Sequence, residues 1–221
     1  VPIIDKTPAQ QQATAAEPTT TMQFLTYASL YNTLSSTTQQ VVSRVSYMGL
    51  VSQFTHFIPV GFLNNTLRDS FGQYNPGLIN VTYLQNGKRQ PLEYQLSPVT
   101  VPGVAQAVQP SYLPSVLWQY MDAFRNTRDI TKSLINPNMT SYSEQSGDPK
   151  TNSAVFGIGC SYDDVSHVGV NATASTVGYE LTSTLDNPLA RGTATPFAAY
   201  TYLLHRTTVM TDRNGGVQVI S

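Results

Sequence analysis

The sequence predicts an all-β, single-domain β-sandwich with one main helix and long Pro-rich crossings. Three observations carry that reading. Short runs that alternate apolar and polar residues, rich in Val, Ile, Thr and Tyr, recur along the 221 residues. Fourteen prolines and fourteen glycines punctuate them. Helical periodicity is confined to one stretch. A chain of this length hides about 70% of its unfolded surface on folding, enough for one sizeable core.

Residues 1–21 read as an extended arm, with residues 22–221 forming the sandwich domain. Pro2, Pro8 and Pro18 break any helix there, and Gln10 to Gln12 and Thr19 to Thr21 show no apolar period. Such a segment has too few large apolar residues to fold alone, so it is expected to order against a neighbouring subunit. From Met22 to Leu67 the chain is β-branched in short pieces. Val41, Val45 and Tyr47 share one face at period two, and Phe54, His56 and Ile58 repeat the pattern up to Pro59.

Leu78 to Leu84 is a strand, Gln85-Asn86-Gly87-Lys88 a turn, and Arg89 to Leu96 the returning strand. Asn-Gly at the two central positions suits a type I′ turn, in which both residues take positive φ. Pro91 cannot donate to a ladder, which places it at an edge or a bulge. Pro98, Pro102, Pro110 and Pro114 mark a long crossing. The helix is expected over Ser115 to Leu134, capped by Ser115, with Leu117, Met121 and Phe124 at helical spacing and Trp118 and Tyr120 beside them in the core. After a polar loop over residues 136–153, Ala154 to Tyr162 resumes β character. Val168 to Ala174 and Val177 to Leu185 read as two further strands, Pro188 to Pro196 as a loop, and Phe197 to Thr211 as a long strand. Asp212 to Gly216 turns into a short return over Val217 to Ile220.

The charge pattern narrows function. Charged residues are only 11% of the chain and the net charge is -1, whereas Ser, Thr, Asn and Gln total 76. Polarity therefore comes from neutral hydrogen-bonding groups. The basic residues are scattered, and Arg125, Arg128 and Lys132 are offset by Asp122 and Asp129. No strong direct nucleic-acid binding is expected, because that needs a basic face.

Chemistry-bearing residues are few. His56 and His205 fall inside strands and read as packed strand residues. His167 lies four residues from Asp163, beside Asp164, but on a loop rather than a helix, so the trio makes a poor metal site. Cys160, the single cysteine, reads as a small buried hydrophobe. The Gly157-Ile158-Gly159 segment lacks the third glycine and following helix of a dinucleotide fingerprint. No catalytic, cofactor-binding or metal-binding residue is assigned. Four glycosylation sequons, at Asn64, Asn80, Asn138 and Asn171, are close to the about three that chance gives for this composition and are no evidence of secretion.

Two stretches are more specific than composition: Asn75 to Lys88, and Ala199 to Thr211 with Asp212 to Val217. Together they resemble an inner strand pair and the last strand of viral jelly-roll coat proteins, closest to those of tailless icosahedral viruses, including phages with an internal membrane. The resemblance implies a non-enzymatic capsid subunit of the virion that assembles into an icosahedral shell. Its partners would be itself and other capsid proteins, with an internal membrane beneath the shell. The neutral arm, with one Lys and no Arg, departs from the basic arms of RNA-virus coats. Two other classes fit an all-β chain: a secreted or surface lectin- or adhesin-like module, and a jelly-roll hydrolase with a scattered carboxylate pair.

Overall fold

The computed structural model describes residues 19–60, 74–95, 113–125, 157–162, 169–187, 190–212 and 216–220. In chain order the elements are β1 (Thr19–Leu34), β2 (Thr38–Pro59), β3 (Leu78–Gln85), β4 (Lys88–Gln95), α1 (Leu113–Arg125), β5 (Gly157–Ser161), β6 (Val170–Ser183), β7 (Asp186–Asn187), β8 (Ala190–Ala194), β9 (Phe197–Asp212) and β10 (Val217–Ile220). All their pairings are antiparallel. The main sheet runs β1-β9-β2-β6-β3-β4, with β5 also beside β2 and β10 also beside β9; β7 and β8 form a separate pair.

One strand builds both layers of the sandwich. The first half of β2 pairs with β6, and its second half pairs with β9 on one edge and β5 on the other. Between the halves the β2–β6 register slips twice, at Val45/Tyr47 and Tyr47/Leu50, and such bulges bend a strand. The sheet then folds over itself. Gln53, whose ladder partners are Leu203 and Cys160, donates from Nε2 to the Gly178 carbonyl at 3.0 Å, and Gly178 pairs with Val42 and Leu84. Phe57 and Tyr179 likewise meet edge-to-face, with ring centroids 6.4 Å apart. Between the layers lie Leu34, Val41, Phe57, Val81, Tyr83, Ile158, Leu181 and Phe197, all buried. This is the sandwich that the alternating runs predict.

The hairpin forms as the sequence requires. Asn86 and Gly87 have φ of 51° and 73°. The Asn86 side chain is tied across to β6, where its Oδ1 accepts from the Thr176 N–H at 3.0 Å. Pro91 falls on β4, which ends the sheet order, inside the register shift between Val81 and Tyr83. Among the described residues the pair is therefore an edge pair, with β3 inside and β4 outermost, rather than the inner pair that the coat-protein resemblance suggested.

Several boundaries differ from the sequence reading. Met22 to Leu67 is not a set of short pieces. Among the described residues it holds parts of two strands, β1 of 16 residues and β2 of 22. Neither has an internal proline; β1 pairs with β9 without a break, and bulges let β2 continue past Val45 and Tyr47. The last three residues of the expected arm, Thr19 to Thr21, already pair with β9; residues 1–18 lie outside the described residues. The two strands expected over 168–185 are one, β6, because Ala174 takes a left-handed φ of 52° within the bulge opposite Val45 and Tyr47. The expected loop over 188–196 contains β8. The helix starts at Leu113, so Ser115 lies inside it and does not cap it. Pro114 is tolerated in the first turn, where its missing N–H has no helical acceptor. The expected continuation over 126–134 lies outside the described residues.

Candidate functional site

The outer face of the β1-β9-β2-β5 layer is where the structure concentrates unusual groups. Across β1, β9, β2 and β5 the register aligns Tyr31, Tyr200, His56 and Gly157 in one row, and Ser29, Tyr202, Phe54 and Gly159 in the next. Helix α1 lies on this face. Ser52 Oγ donates to the Ala123 carbonyl at 2.9 Å, and His56 Nε2 hydrogen-bonds the Tyr120 hydroxyl. The two β5 glycines make room for it. A Cβ on Gly157 would strike the Tyr120 ring, and one on Gly159 would lie 2.8 Å from Ala123 Cβ. The Gly-Ile-Gly segment thus sets a strand–helix approach, a role the sequence reading missed. Glycines at period two beside a small helix residue such as Ala123 are the signal for it.

Where α1 does not reach, the aromatic ladder continues toward the sheet edge. Tyr31 packs on Tyr200 at 5.3 Å between centroids, Tyr202 on Phe54 at 5.1 Å, and Tyr27 against Phe54 at 6.0 Å. Tyr27 and Tyr31 are nonetheless about half exposed. Trp118, expected in the core, is 67% exposed on α1, while Leu117 and Tyr120 take the buried positions.

The opposite face of the same strands is apolar and uncovered at its far end. β2 leaves β9 at the Leu50–His205 pair, and β10 takes its place from Thr208 to Thr211. Register then lines up Met22, Val209 and Val219 across β1, β9 and β10, with Thr20, Thr211 and Val217 in the next row. Met22, Phe24, Val217 and Val219 are exposed, although they continue the face that is buried further along at Leu203.

The residues weighed for catalysis take quiet positions. His56 is buried, which drives its pKa down to about 3 and keeps the ring neutral. His205 stacks on Tyr47 at 3.9 Å; burial lowers its pKa and the Arg206 carbonyl partly opposes this. Cys160 is buried, and burial with the nearby Asp122 charge pushes its thiol up to about 12. A neutral thiol at physiological pH is no nucleophile. His167, Asp163 and Asp164 lie outside the described residues, as do Asn64 and Asn138. Asn80 sits in β3, and the exposed Asn171 is engaged by the Thr173 N–H at 3.0 Å. Among the described residues no group of three His, Cys, Asp or Glu could hold a metal ion, and no helix is long and apolar enough to cross a membrane.

Neither the family models nor the curated proteins contain a match to this chain. Solved structures do. The Faustovirus major capsid protein superposes with a TM-score of 0.52 at 9% identity, covering 97% of this chain and 36% of its own. The chain shares its fold with that third of the Faustovirus protein. Two other structures match with TM-scores of 0.43. The mavirus major capsid protein has 10% identity, with 92% of this chain and 41% of its own covered. The PBCV-1 virus capsid has 9% identity, with 96% and 54% covered. The chain thus spans between about a third and just over half of the length of the proteins it matches.

Proposed function

We propose that this chain is a structural capsid subunit of a virion, which assembles with copies of itself and with other capsid proteins into an icosahedral shell. The observation that carries this reading is the capsid-protein fold over 97% of the chain. The surface supports it. Exposed Tyr27, Tyr31 and Trp118 supply amphipathic contact area, and the neutral polar groups around them desolvate more cheaply than ions. The buried Cys160 and His56 argue in the same direction, away from chemistry.

Three finer readings belong with it. The shell is of the tailless icosahedral kind with an internal membrane beneath, a reading supported by residues 1–21, which hold one Lys and no Arg. Residues 1–18, the part of the arm that precedes β1, order against a neighbouring subunit. The subunit makes no strong contact with the genome. Negative-stain microscopy of purified material tests the main reading, and closed particles are expected. A stable monomer that binds glycans would replace it with the lectin-like reading. Deleting residues 1–18 should leave the domain folded and impair particle formation.

A further inference from the structure

The two margins of the main sheet are built differently. β4, at one end, carries Lys88, Arg89, Pro91 and Glu93 and a register break. Charges, proline and bulges on an outermost strand block pairing with another chain. β1, at the other end, has none of them. Its 16 residues, TTTMQFLTYASLYNTL, contain no charged residue, no proline and no glycine. It runs without a register break along β9 from the Thr19–Asp212 pair to the Leu34–Phe197 pair. Among the described residues no strand pairs with its outer edge. Both its faces show apolar groups at that margin: Met22 and Phe24 on one, Tyr31 on the other.

We propose that β1 is an assembly strand that pairs edge to edge with β1 of a second copy of this chain, antiparallel about a two-fold axis normal to the sheet. The choice of occupant follows from charge and symmetry. An uncharged strand meets its own copy with no like-charge contact, whereas β4 carries a proline that cannot donate to a ladder and a register break. A two-fold normal to the sheet keeps faces matched. The exposed Met22 and Phe24 of one copy then continue the apolar row of the other, and the tyrosines extend the aromatic ladder across the seam. Backbone hydrogen bonds along β1 supply the affinity and the side-chain rows the fit. The inference rests on the capsid reading only for the presence of many copies in one place.

The test uses the full chain. Sedimentation velocity should show a reversible dimer. Gln23→Lys with Ser29→Lys, both exposed and off the core, should weaken it at least about tenfold by opposing like charges. Gln218→Lys on β10 should leave it unchanged, with far-UV circular dichroism and thermal midpoints confirming that both variants fold. Spin labels on Ser29→Cys should give a narrow distance near roughly 20 Å for full-length antiparallel pairing, and labels on Lys88→Cys should give none. Buried Cys160 stays unlabelled. A chain that remains monomeric at about 100 μM, or one whose outward-pointing β1 amides, those turned away from β9, are protected while it is monomeric, overturns the proposal, the latter because its own chain would then cover the edge. Particles whose Ser29 labels lie far apart sink this inference and leave the capsid reading standing. Paired β1 strands without particles do the reverse.

Discussion

The two halves of β9 differ in composition and in what covers them. Phe197 to His205 lies between β1 and β2, with the second layer beneath, and Phe197, Ala199, Leu203 and Leu204 are almost wholly buried. Arg206 to Asp212 has β1 and β10 as neighbours, and Val209 and Met210 stay half-exposed. The first half is the more apolar, and its cover is supplied by residues far away in sequence. Burial in a sheet is therefore decided by the facing layer, and a strand's own pattern shows only which side is available for it.

The largest break in that comparison should come from Phe57, which faces the second layer. Phe57→Ala is expected to cost about 3–5 kcal/mol in urea denaturation, because a well-packed site relaxes little around the cavity. The next comes from the α1 seat. Gly159→Val should cost about 1–3 kcal/mol through overpacking against Ala123 and Tyr120; unchanged stability would mean that α1 stands off from β5.

A pH series sharpens the contrast further. His56 stays neutral in the folded chain down to about pH 3, whereas unfolded histidine takes up its proton near 6.5. Its contribution is flat above 6.5. Between 6.5 and 3 it removes up to about 1.4 kcal/mol of stability per pH unit. His56→Gln should flatten that part of the curve, as followed by thermal melts from pH 7 to 4. The smallest effect is expected at the uncovered end. Phe24→Ala in the dissociated chain should shift stability by no more than about 0.5 kcal/mol, and a loss comparable to that of Phe57→Ala would show that the end is covered within the monomer.

What was legible in the sequence was local. Asn86-Gly87 demands two positive φ values, and only a tight hairpin satisfies that; Pro91 demands a strand margin. The core of the helix was legible from Leu117 and Tyr120, though not the outward turn of Trp118. Strand length was not legible, because bulges at Ala174 and Tyr47 let the chain continue where composition suggested a stop. The site was less legible still. His56, Gly157 and Tyr120 lie on three elements and meet only once β5 has paired with β2 and α1 has packed on both. The bare edge of β1 was written in its missing charges, but it means something only once β1 is known to lie outermost.

The β1–β9 ladder also sets a timetable. Thr19 must wait for Asp212, and no other described strand offers β1 a place in the sheet. During synthesis at about 5–20 residues per second, β1 leaves the ribosome roughly 10–40 s before its partner exists. Throughout that interval it is sixteen neutral residues of high β-propensity, with both edges unsatisfied. Nascent chains on one polysome would carry many such strands side by side. Sequestration by a chaperone, or early capture by a finished subunit, would then limit the yield of folded protein more than the stability of the completed sandwich does.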